Sequence, residues 1–283
     1  MLTLKPHAED VAGQPILRLL PSARCRSVGP FVFFDHMLET TYPPGSGMDI
    51  RQHPHIGLST LTYLFEGQLQ HKDSLGSDQL VLPGDVSWMT AGRAIAHVER
   101  TPPALRDSGS RLHGLQVWLA SPKTHEQGDG RYSHHPADTL PVRDSMGIVI
   151  RMIAGQGFDL ISPVTVLSPT VYAELHLQTA TTLLIPTEHQ ERALYVLDGD
   201  ASVDGEPIEP CSLIVLEPGQ AVNLCAESDC HAVLLGGAAL DGPRRMNWNF
   251  VASDIGLIKE ARRRWAAQDW PVVPGETGRI ELP

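Results

Sequence analysis

The chain has 283 residues, enough for one large core or two domains of ordinary size. Its formal net charge of −11 excludes indiscriminate nucleic-acid binding, which depends on Lys and Arg neutralising phosphates, and no apolar run approaches membrane-crossing length. With 42% hydrophobic residues, 25 Gly and 23 Pro, the composition fits a globular, turn-rich β protein.

The first apolar run, Phe31-Val32-Phe33-Phe34, leads into Asp35-His36, and His36 reads as a hydrogen-bonded structural residue. His53-Pro54-His55 then opens a β-branched and aromatic stretch, Ile56 to Phe65, with no proline after Pro54. Glu66-Gly67 offers a turn and Gln68 to Asp73 a returning strand. After a Ser74–Ser77 loop come Leu80-Val81-Leu82, the punctuation Pro83-Gly84-Asp85, and a further strand from Val86 to Met89. Thr90-Ala91-Gly92-Arg93 reads as a loop that delivers the chain to His97-Val98-Glu99. Short strands at this spacing, separated by Gly and Pro turns, indicate an antiparallel barrel or jelly roll.

His53/His55 and His97/Glu99 are each i, i+2 pairs, so on strands each pair leaves the same face. Two such strands facing one another would close three imidazoles and a carboxylate around one ion. That donor set suits iron, zinc, copper, nickel or manganese. Arg93 stands ready either to orient an anionic ligand or to hold its own loop. Gln116, on the strand of His113-Gly114-Leu115-Gln116-Val117-Trp118, reads as a second hydrogen-bonding residue behind the site or as core.

Gly128 to Pro136 is polar and punctuated like a linker, which makes His134-His135 exposed linker histidines. Strand signals resume at Gly147–Ile153. Glu191–Asp200 echoes Thr60–Gln68, and Leu216–Gln220 echoes Leu82–Asp85, as in a duplicated barrel. The second copy lacks a His-x-His, and His176, His189 and His231 are too scattered to read as a ligand set, so it reads as a packing domain without metal. Ser253 is the expected N-cap of a helix with an apolar stripe of Ile255, Ile258 and Trp265, stopped by Pro271, with Arg262-Arg263-Arg264 on its solvated face. Cys25, Cys211, Cys225 and Cys230 form neither CxxC nor a zinc pattern and read as reduced thiols. Met1–Pro6 has no basic start followed by an apolar region, so the expected location is cytoplasmic.

HPHIGLSTLTYLFEG, HKDSLGS, LPGDVSWMTAGRAIAHVERTP and HGLQVW occur in that order, with PRRMNWNFV near the other end. This series resembles the pirin family across most of the chain. The resemblance implies an all-β bicupin: two antiparallel jelly-roll barrels with a C-terminal helix, the first (1–135) binding metal and the second (136–283) without it. It makes His53, His55, His97 and Glu99 the ligands of a mononuclear iron, Fe2+ in the first instance, with Zn, Cu, Ni, Mn or Co as substitutes. Cupins generally place a ligand Glu three or four residues beyond His-x-His, where this chain has Ser59 and Thr60, so the carboxylate falls to Glu99. The implied activity is that of a dioxygenase opening a flavonol such as quercetin with O2, with Glu99 also acting as a base. The alternative within the family is a redox-responsive regulator that binds a protein partner without turnover. Neither role calls for a nucleic acid or a membrane.

Overall fold

The computed structural model describes residues 1–283, and its sheets are antiparallel throughout. Packing divides the chain into two compact units. One takes Ala8–Ile16, Phe34–Ala137 and Leu240–Pro283; the other takes Met1–His7, Leu17–Phe33 and Asp138–Ala239.

In the first unit a four-stranded sheet runs in the order Asp49–His55, Ile95–Arg100, Leu69–Asp73, Asp78–Val81. A second sheet places Arg131–His135, Val86–Thr90, Leu58–Glu66, Ser110–Ala120 and the strand Phe31–Tyr42, which belongs to this unit from Phe34 onward, side by side. The strands lie where the β-branched and aromatic runs predict them, because alternate residues of each bury one face. Met37, Met48, Leu64, Leu69, Val81 and Leu112 pack at the core of this unit. A second apolar cluster gathers Ile56, Ala96 and Val98 with Phe250, Ile258 and Trp265. It fastens the C-terminal segment to the strands that carry the histidines. Bridging is direct: Ile56 pairs with Phe250.

The helix spans Ile255–Ala266 and buries Ile258, Ala261 and Trp265. Its start differs from expectation by one residue. Asp254 is the N-cap, its Oδ1 accepting from the Gly256 N–H at 2.7 Å. Ser253 is drawn away because its N–H and Oγ both donate to Glu126. Ile255 is 44% exposed and so drops out of the buried stripe. The helix is over at Ala266, ahead of Pro271.

The expected linker is also corrected. Arg131–His135 is a strand paired with Val86–Thr90, and His134 is not free in solvent: its Nε2 lies 2.8 Å from Asp85 Oδ2. A polar edge strand has a linker's composition, and only its pairing tells the two apart.

The other unit repeats the layout. Its four-stranded sheet runs Thr182–Ile185, Val222–Ala226, Ala201–Val203, Glu206–Ile208. Its larger sheet sets Leu213–Val215, Glu191–Asp198, Cys230–Gly237, Thr170–Leu177 and Ile148–Gly157 side by side. The space between is filled by aliphatic side chains, among them Ile150, Leu175, Leu183, Leu194, Leu224 and Leu234. All four cysteines are free thiols, and no helix is long and apolar enough to cross a membrane.

Candidate metal centre

Strand pairing assembles the histidines. His97 sits directly across from His53, and Ile95 across from His55. On the other side of the same strand, Glu99 faces His71 and His97 faces Asp73. The pairing with the His53 strand slips between His97 and Glu99, which is a local bulge.

Ligand atoms of His53, His55 and His97 lie within 4.8 Å of one another, as do those of His71, His97 and Glu99. The four expected ligands therefore fall into two overlapping triads that share His97. His55 Nε2 and His97 Nε2 approach to 3.1 Å, and all five side chains are buried. Two nitrogens about 2.1 Å from one ion at right angles to each other would be about 3.0 Å apart, so this spacing fits shared coordination.

The backbone selects which nitrogen is presented. His53 Nδ1 is 2.9 Å from the Arg51 carbonyl oxygen, and His55 Nδ1 is 3.1 Å from that of Asn249. A carbonyl only accepts, so each Nδ1 carries the proton and donates it, leaving the Nε2 lone pair free for an ion. His97 Nδ1 is buried without a hydrogen-bond partner. Burial pushes the pKa of His53 down, with the charge of Glu99 opposing, and drives those of His55 and His97 well below the usual 6.5. The imidazoles are thus neutral, the form that binds a cation. Three neutral Nε2 donors with a carboxylate beside them fit a divalent transition ion.

Gly57 lets the C-terminal segment close on this cluster. It has φ +66°, and a Cβ there would lie 2.0 Å from the Val251 carbonyl oxygen. Only glycine permits both the conformation and the approach.

Around Glu99 a polar chain runs inward. Thr62 Oγ1 lies 2.8 Å from Glu99 Oε1 and 2.7 Å from Gln116 Oε1. A single hydroxyl proton serves one acceptor at a time. It goes to the Glu99 carboxylate when the Gln116 amide turns its NH2 toward Thr62. Gln116 is thereby coupled to Glu99 through Thr62. Beside Glu99 is a cavity of about 50 Å³ lined by Ile16, Met37, Met48, Ile50, Leu69 and Asp35, among others. It has room for a few water-sized molecules and falls well short of the roughly 300 Å³ at the small end of organic-ligand pockets.

Not every expected residue joins the site. Arg93 is on the surface, paired with Asp129 at 2.7 Å, while its own N–H donates to the Gly128 carbonyl. His36 is the hydrogen-bonded structural residue expected, its Nε2 2.8 Å from His113 Nε2. His71 is the residue that local patterning misses. It stacks on Tyr132 with centroids 4.3 Å apart, and its Nε2 is 3.2 Å from Asp73 Oδ2. Burial alone would raise the Asp73 carboxyl, but hydrogen bonds from His71 and Ser77 prevail and lower it. No i, i+2 His partner announces His71; its place comes from the register opposite Glu99.

In the second unit, His189 Nε2 meets the Gln156 carbonyl oxygen at 2.9 Å. His176 and His231, expected to be scattered, are instead directly paired across two strands, beside Glu174. Fifty-odd residues of intervening chain conceal a contact that strand register creates.

Two antiparallel β barrels, one carrying a buried His/Glu cluster between facing strands, define a bicupin with a candidate metal centre. The chain belongs to the pirin family: the Pirin model matches residues 13–119 and the Pirin C-terminal cupin domain model residues 172–280. A pirin-like protein of Caulobacter vibrioides is 40% identical, covering 100% of this chain and 95% of its own. A Pseudomonas aeruginosa protein named as a candidate quercetin 2,3-dioxygenase is 34% identical over 93% of this chain and 82% of its own. Among solved structures, a quercetin 2,3-dioxygenase from Acinetobacter baumannii superposes with a TM-score of 0.92 at 33% identity, covering 100% of this chain and 94% of that one.

Proposed function

We propose that this protein is a mononuclear iron-dependent dioxygenase of the pirin type, acting on a small flavonol-like aromatic substrate with O2. The observation that carries the reading is the convergence of neutral His53, His55 and His97 with Glu99 beside an apolar cavity. Relatives named for quercetin dioxygenation support the substrate class. His53, His55, His97 and Glu99 would hold the ion, and Fe2+ is the favoured species, with Zn, Cu, Ni, Mn or Co able to occupy the same donors. The bound ion would supply Lewis acidity toward a flavonol hydroxyl and an electron for chemistry with O2.

The rest is done by the chain itself. Glu99 takes the proton of the substrate hydroxyl on a carboxylate oxygen. Thr62 donates to Glu99 and keeps that carboxylate aimed into the cavity. Ile16, Ile50 and Leu69 exclude bulk water. Met37 and Met48, flexible and unbranched, are the lining residues that yield to admit a ring. His71 lies beside Glu99 and His97 and would offer the ion a further imidazole donor.

The smallness of the cavity favours a second reading, a redox-responsive regulator that binds a protein partner without turnover. Ferrous and ferric ions differ by one charge at a buried site, enough to bias neighbouring groups. Four free thiols accord with a reducing, cytoplasmic setting for either role.

The test is oxygen consumption with quercetin by anaerobically iron-loaded protein, beside Thr62→Val. Uptake that requires iron and falls about tenfold in Thr62→Val, with metal content unchanged, is the expected result. Bound iron without uptake turns the reading to the regulator; no bound metal removes both.

A further inference from the structure

The second unit carries its own cluster of ligand-type side chains, on a face that the barrel interior does not use. Along Thr170–Leu177, Ala173, Leu175 and Leu177 point into the apolar core, so Glu174 and His176 leave the opposite face. Along Cys230–Gly237, Ala232 and Leu234 are in the core, which puts His231 on that same opposite face. His176 and His231 are paired directly across the strands and stack with centroids 4.2 Å apart at 16°.

Both rings converge on one oxygen. His231 Nε2 is 3.0 Å and His176 Nε2 3.2 Å from Glu174 Oε1. The other carboxylate oxygen, Oε2, lies 3.5 Å from Arg151 Nε. Arg151 thus takes one side of the carboxylate and the imidazoles the other. Donors about 2.1 Å from a common ion are separated by about 3.0 Å at right angles and about 3.4 Å in a tetrahedron, which brackets the observed distances. Glu174 is nearly buried and its position set by the sheet, whereas His176 is half exposed, which leaves an approach for an ion.

The surroundings favour a cation. His176 and His231 line an open cavity of about 360 Å³ that Asp144, Asp198 and Asp229 also line. Asp198 is the cross-strand partner of His231, and Asp229 accepts from Thr179 N–H and Oγ1. Three carboxylates thus line the cavity and Glu174 adds a fourth beside the imidazoles, against the single guanidinium of Arg151. Two imidazoles and one carboxylate beside an open cavity match the ligand chemistry of borderline divalent ions.

We propose that Glu174, His176 and His231 form a second metal-binding site, selective for a zinc-class divalent ion over Mg2+ or Ca2+. It is independent of the first centre, so each can fail without the other. The test is equilibrium dialysis of Zn2+ against tag-free, metal-stripped full-length protein. The background is a His53→Leu/His97→Leu variant, which removes the first centre. One zinc per chain should remain in that background, and adding His231→Ala or His176→Ala should weaken it more than about a hundredfold. His176 is half exposed, so its replacement leaves folding undisturbed even if Glu174→Gln does not. The Co2+ form should show ligand-field bands that vanish with the same substitutions. Retention of the zinc in both histidine variants, or binding in the background no tighter than roughly 1 mM, overturns the site.

Discussion

The two barrels make the same sheet from opposite materials. In both, the four-stranded sheets share strand order and pairing, so their registers can be laid side by side. Where one unit pairs His53 with His97, the other pairs Leu183 with Leu224. His55 across from Ile95 corresponds to Ile185 across from Val222. Glu99 across from His71 corresponds to Ala226 across from Ala201, and Asp73 to Val203. Matching Gly67 to Gly199 sets Leu194 where Thr62 stands. Every one of those aliphatic residues belongs to a single core cluster. The fold thus tolerates either a dry interior or a buried polar one; the polar version costs desolvation that a bound ion offsets, and the apolar version needs none.

The largest test converts the first unit toward the second. His53→Leu/His97→Leu should abolish metal binding at the first centre, a loss of more than about a hundredfold in affinity, while the metal-free protein melts no lower than the unsubstituted one. Metal analysis and a thermal melt decide it, and a large fall in melting temperature would mean the imidazoles are structural. The converse cut is Leu224→Ala, which opens a cavity where His97 has its counterpart. It should cost about 3 kcal/mol in denaturant unfolding while leaving metal at the first centre intact.

Acid should separate the units next. The folded pKa values of His55 and His97 lie well below 6.5, so as pH falls through that value the unfolded chain takes up protons that the folded one refuses. Stability contributed by these groups is therefore present above about pH 6.5 and lost below it. The aliphatic counterparts do not titrate, so hydrogen exchange in the His53 and His97 strands should accelerate on mild acidification before exchange in Thr182–Ile185 and Val222–Ala226. Equal acceleration would deny the difference. The smallest effect is at the cap of the helix that closes the first unit: Asp254→Ala should cost about 1 kcal/mol, read by denaturant midpoint, with no change in metal content.

Much of this was legible because strand side chains alternate. His-x-His and His-x-Glu need only a period of two to be read as convergent. What stayed hidden was set by register between distant strands. His71 enters the cluster only because Leu69–Asp73 pairs with Ile95–Arg100. His176 meets His231 only through the pairing of Thr170–Leu177 with Cys230–Gly237. The Asn249 carbonyl, which no side-chain pattern encodes, is likewise reached through the bridge of Ile56 to Phe250. The polar strand Arg131–His135 passed for a linker, and Asp254 took the cap from Ser253 because Glu126 claimed Ser253 first.

The bond from His55 Nδ1 to the Asn249 carbonyl has a consequence for how the protein is made. Synthesis proceeds from the N-terminus, and earlier segments gain structure before later ones exist. All the candidate ligands of the first centre have left the ribosome long before residue 249 is added. Until then His55 is without the contact that fixes its tautomer and orientation. An ion taken up at this centre would therefore meet its fully oriented donors only after the segment around residue 249 has been made and docked.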